Sequence, residues 1–111
     1  MMSAIANLRV AFTVLAFSTI AAMAPAMASD ASIEIANFTF SPATLTVKPG
    51  TTVTWTNGDD IPHSIVEDSR VFHSPPLDTG EKFSMTFTSS GTVNYFCGFH
   101  AHMPGRIVVE P

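Results

Sequence analysis

Apolar residues recur at every second position in short runs along most of the chain, as in Ile33-x-Ile35, Val53-x-Trp55, Phe83-x-Met85-x-Phe87, Val93-x-Tyr95 and Ile107-x-Val109. A period of two returns side chains to one face of a strand, whereas a helix needs apolar residues three and four apart. Strands are therefore predicted over 32–40, 44–47, 51–57, 64–67, 82–88, 92–97 and 106–110, and no long helical period competes with them. Turn chemistry separates the runs: Ser41-Pro42, Lys48-Pro49-Gly50, Asn57-Gly58-Asp59-Asp60 and Ser89-Ser90-Gly91 combine residues that preset or permit a reversal. Many short strands between such turns indicate an all-β antiparallel sandwich or barrel. Alternation points Ile33, Ile35, Phe38, Phe40, Leu45, Val47, Val53, Trp55, Phe83, Met85, Phe87, Val93, Tyr95, Ile107 and Val109 inward.

The first stretch reads differently. Arg9 precedes an Ala-rich apolar run over 10–24, Pro25 follows, and Ala26-Met27-Ala28 offers a small-x-small cleavage site, so 1–28 is expected to be a signal peptide and 29–111 one exported, periplasmic domain. The run is shorter than the roughly 20 apolar residues that span a bilayer, and no cysteine lies near the cleavage site to take a lipid, so no stable membrane insertion is expected. With 46% hydrophobic and 13% charged residues the chain suits one compact, monomeric domain rather than a disordered tail. Its formal net charge of −4 argues against nucleic acid and anionic membrane surfaces as partners. The single cysteine excludes an internal disulfide, and a lone thiol in an exported protein is buried, reactive or metal-bound.

The neighbours of that cysteine favour metal. Tyr95-Phe96-Cys97-Gly98-Phe99-His100-Ala101-His102-Met103-Pro104-Gly105 sets Cys, His and Met at Cys-x-x-His-x-x-Met spacing between two predicted strands, where a loop can aim all three at one point. Thiolate and thioether are soft ligands suited to copper; two His and one Cys in a plane with a weak axial Met is the electron-transfer arrangement. His63, after Pro62 at the start of a strand, is the natural second imidazole.

These segments, with Val53-Thr54-Trp55-Thr56-Asn57 leading into Asp60-Ile61-Pro62-His63, resemble the plastocyanin/azurin family of cupredoxins across essentially all of 29–111, and the short ligand loop is most similar to that of the amicyanins. The resemblance implies a Greek-key β-sandwich of about seven to eight strands, one copper cycling between Cu(I) and Cu(II), and single-electron transfer between redox partner proteins. It makes His63 and His100 the imidazole ligands, Cys97 the thiolate and Met103 the axial ligand. It also implies transient partner docking near His100, on a patch drawn from Ile61, Pro62, Phe99, Ala101, Met103 and Pro104. The chain departs from the amicyanin pattern at Ala101, where Pro is usual, and at Phe99, whose backbone N–H is expected to point at the thiolate sulfur and raise the potential. Ser64 stands where the family often has an Asn that ties the two ligand loops.

Other assignments stay in view. A lone Cys on a strand is usually a buried hydrophobe, Met103 alone would be packing, and His73 is most simply a surface turn residue. His102 could replace His100 at Cys-x4-His spacing, but Met103 would then adjoin it with no later Met in the loop, so His102 is expected to face solvent. Phe96 should point away from Tyr95 and Cys97. A copper-trafficking protein would want an exposed site richer in Met or His; an oxidase or reductase needs an open position or a second metal; zinc would not choose methionine.

Overall fold

The computed structural model describes residues 29–111. The expected signal peptide, 1–28, lies outside the described residues.

The alternating runs become strands because β-branched and aromatic side chains pack well on a pleated, half-buried surface. Among the described residues eight are formed: β1 (Asp30–Ala36), β2 (Thr39–Ser41), β3 (Thr44–Val47), β4 (Thr51–Asn57), β5 (Val66–Glu67), β6 (Lys82–Phe87), β7 (Gly91–Cys97) and β8 (His100–Val109). They build two four-stranded sheets, ordered β2-β1-β4-β6 and β3-β8-β7-β5. The all-β sandwich is as expected, but each sheet is mixed, because β1 runs parallel to β4 and β3 parallel to β8. Alternation reports which face a residue takes and carries no information about strand direction, so these crossovers were not legible in it.

β4 shows the pattern most clearly. Thr51, Val53, Trp55 and Asn57 are buried while Thr52, Thr54 and Thr56 are half-buried on the other face. The sheets meet through aromatic side chains: Tyr95 packs edge-on against Phe40 at 4.8 Å and against Trp55 at 5.4 Å between ring centroids. Burying one such large side chain contributes roughly 1.5–3 kcal/mol. Gly105 is required by this packing, since a Cβ there would collide with the Tyr95 ring.

Two expectations need correction. The predicted strand over 32–40 is a hairpin: Ala36 pairs with Thr39 and Ile35 with Phe40, so Asn37 and Phe38 are the two turn residues, with φ of 52° and 57°. That backbone suits Asn and not Phe, which is why alternation carried straight through it. Phe38 is consequently 53% exposed rather than in the core. The ligand segment is also less of a loop than expected, because β8 begins at His100 and only Gly98 and Phe99 separate it from β7.

Candidate metal centre

The first half of the site is a loop held by one amide. Asn57, fully buried at the end of β4, donates from Nδ2 to the carbonyls of Ile61 and Leu77, both at 2.8 Å, and its Oδ1 accepts the Asp59 N–H at 2.9 Å. The loop thus closed delivers His63, 0% exposed, whose backbone exchanges hydrogen bonds with Leu77 at 3.1 and 2.7 Å. The imidazole is oriented by Asp59, whose Oδ2 lies 2.7 Å from His63 Nε2. A carboxylate only accepts, so Nε2 carries the proton and Nδ1 turns a lone pair toward Cys97. The Phe38 N–H above all holds the Asp59 carboxyl below its usual range; burial opposes this, and the Asn37 N–H and the His63 ring reinforce it.

The second half comes from the β7–β8 hairpin. Cys97 ends β7 and pairs with His100, whereas its neighbour Phe96 already pairs with Pro104, so 101–103 bulge out of the ladder. A bulge of this kind re-aims side chains, and here Met103 is turned inward, 2% exposed, while His102 faces solvent. Cys97 Sγ lies 3.6 Å from His63 Nδ1 and 3.5 Å from His100 Nδ1, and the donor atoms of the three residues all fall within 4.8 Å of one another.

These spacings fit a metal. Nitrogen at about 2.0 Å and sulfur at about 2.3 Å from one ion stand roughly 3.5–3.7 Å apart for bond angles between tetrahedral and trigonal. Two imidazoles, a thiolate and a nearby thioether are also the donor types that copper accepts in both oxidation states.

Ser64 joins the two halves. Its N–H reaches Cys97 Sγ at 3.5 Å, and its Oγ accepts the Gly98 N–H at 3.0 Å, so the hydroxyl makes the loop-to-loop tie. Gly98 must be glycine for this, because a Cβ would stand 2.7 Å from Ser64 Oγ. Among the described residues, Ser64 is the backbone donor to the sulfur; the expected bond from the Phe99 N–H does not form.

The sequence-predicted site residues His63, Cys97 and His100 are brought together, with Met103 buried in the adjacent bulge. Met103 is therefore not part of a surface patch, while Phe99 at 54% exposure, Pro62 and Pro104 are exposed and Ile61 is half-buried; the Ala101 side chain lies outside the described ones. His73 is exposed, with its ring 3.3 Å from the Ser74 carbonyl. Phe96 is half-buried under the Arg70 guanidinium, 5.4 Å above its ring. Sequence reasoning missed Asn57, Asp59 and Phe38. The available signal was the Asn-Gly-Asp-Asp run itself, read as a turn although its side chains serve the histidine that follows.

A family model for copper-binding proteins of the plastocyanin/azurin family matches residues 27–110. Amicyanin-alpha of Methylorubrum extorquens is 32% identical over 101 residues, covering 86% of this chain and 85% of that protein. A chloroplastic plastocyanin of Tetradesmus obliquus is 37% identical over 84 residues, covering 64% of this chain and 58% of that protein. Among solved structures, a reduced amicyanin bearing a proline-to-phenylalanine substitution superposes with a TM-score of 0.68 at 36% identity, over 71% of this chain and 80% of the other. A purple cupredoxin from Nitrosopumilus maritimus gives 0.68 at 37% identity, over 72% and 99%.

Proposed function

Because the chain belongs to the plastocyanin/azurin family of copper-binding proteins, we propose that it is a blue-copper electron carrier in which His63 Nδ1, His100 Nδ1 and the Cys97 thiolate would hold one copper and the Met103 thioether would complete the donor set. The observation that carries this reading is the triangle of donor atoms, with Sγ 3.5 and 3.6 Å from the two Nδ1 atoms. Copper bound there supplies a one-electron Cu(I)/Cu(II) couple. The chain supplies rigidity: Asp59 keeps the proton on His63 Nε2, Ser64 ties the two ligand segments, the His63 loop is bridged to Leu77, and the other donors come from the paired β7–β8 hairpin. Donors fixed in this way need not rearrange when the oxidation state changes.

His100 is only half-buried and stands beside exposed Phe99, their ring centroids 6.4 Å apart. We take it as the point where redox partner proteins dock, through a small and short-lived interface of the kind usual for redox encounters. The protein is a carrier and not an enzyme on this reading, since four donors leave no open position for a substrate. Burial also favours a carrier over a trafficking protein, because His63, Cys97 and Met103 are each at most 2% exposed and offer little access to a competing ligand. A family match that begins at residue 27 supports the reading of 1–28 as a leader removed on export.

The test is the visible spectrum of the purified protein after addition of Cu(II), through one cycle of reduction and reoxidation. An intense blue thiolate-to-copper band that bleaches and returns is expected. A colourless, readily exchanging Cu(I) complex would favour trafficking, and absence of tight copper binding would overturn the reading.

A further inference from the structure

One exposed aromatic has no place in the core and none in the ligand set. Phe38 sits at the tip of the β1–β2 hairpin with φ of 57°, beside Asn37 at 52°. A left-handed backbone is unfavourable for a bulky side chain and persists only where surrounding contacts impose it. The contact that imposes it is Asp59: Oδ1 accepts the Asn37 N–H at 2.7 Å and Oδ2 the Phe38 N–H at 2.9 Å. Two successive N–H groups cradling one carboxylate form an anion nest. The same Oδ2 receives His63 Nε2 at 2.7 Å.

The turn brings the Phe38 ring over the metal centre. It stands edge-to-face against both site imidazoles, with centroids 5.5 Å from His63 and 5.0 Å from His100 and an interplanar angle of 88° in each case. The two imidazoles lie 4.9 Å apart, so a single ring spans the pair while its other side meets solvent.

We propose that Phe38 is a lid on the solvent side of the copper centre and that Asp59 is the positioning residue that sets both the lid and the His63 imidazole. The lid keeps water and small anions from approaching the metal between the two histidines. One carboxylate thereby couples the orientation of a ligand to the closure above it. The inference rests on the copper reading given above.

The experiment uses the copper-loaded protein, its Phe38→Ala, Phe38→Tyr and Asp59→Asn variants and the double variant. Two quantities are read: the change in the blue band on adding azide, and the rate at which a chelator removes copper. Replacing residues that support metal ligands commonly alters metal affinity by 10–100-fold. Phe38→Ala is expected to release copper at least about tenfold faster and to show an azide-dependent spectrum that the wild type lacks. Phe38→Tyr keeps the ring and should behave as wild type. Asp59→Asn should open the site to azide as Phe38→Ala does and also shift the band in the absence of azide, because His63 is freed. The double variant should be no more open to azide than Asp59→Asn alone. A residue that served stability only would leave azide access unchanged. Wild-type azide response and release rate in Phe38→Ala overturn the lid, and wild-type azide access in Asp59→Asn overturns its positioning role. A wild-type protein with no blue band overturns the copper reading and the lid with it.

Discussion

Ser64 touches both ligand segments, and the structure separates its two contributions. The bond to Cys97 Sγ comes from its backbone N–H, while the tie to Gly98 comes from Oγ. Ser64→Ala should therefore keep the blue band and cost about 1 kcal/mol, the usual net value of one hydrogen bond, measured by denaturant unfolding of the copper-loaded protein. A variant without the band would show that the tie, and not the sulfur contact, maintains the ligand geometry. Tyr95 offers a second test, as the chain contains a single tyrosine. Its hydroxyl is buried without a hydrogen-bond partner, and burial pushes it up from 10.0 to about 12. Between those values the folded protein retains a proton that the unfolded chain releases, so stability should fall as pH rises across that window. Ultraviolet titration of the native protein should show no phenolate until near its upper end; ordinary titration near pH 10 would show the ring to be open to water.

At the scale of elements, the alternating strands were legible because inward and outward positions differ in polarity along every run, as in β4. The cysteine, histidine and methionine offsets made the donor set legible for a different reason, since soft ligands are rare and conspicuous in such a short segment. The β1–β2 hairpin was hidden because a turn that wants Asn-Gly chemistry contains Asn37-Phe38, and its third stabilising partner is Asp59, distant in sequence. Ile65 and Leu77, both fully or nearly buried, were missed because the segments flanking His63 are irregular and show no period. The same irregular segment depends on Asn57, whose side chain makes three hydrogen bonds in a buried setting. Asn57→Ala should cost about 3 kcal/mol, the order expected when buried backbone groups lose their partners. It should broaden or abolish the blue band as His63 loses its anchorage; an unaltered spectrum would show that the Leu77 pairing alone places the histidine.

Across the described residues, one small sandwich with a free cysteine carries a site whose donors, at 63, 97 and 100, converge only through the fold. Copper then stabilises by mass action, about 4 kcal/mol when its concentration is roughly a thousandfold above the dissociation constant. For a domain of this size removal of the metal should lower the melting temperature by more than about 10 °C, read by calorimetry of metal-free and loaded protein. Equal melting temperatures would mean that binding and folding are uncoupled. The placement of β8 extends this coupling to damaged chains. It lies between β3 and β7, so it is interior to its sheet, and its first residues include His100 and Met103. A copy clipped ahead of Met103 is expected to forfeit that interior strand and the Met103 donor together. Cleavage there is thus expected to remove the sheet's interior strand and a copper donor in one step, leaving no folded form with a partial donor set.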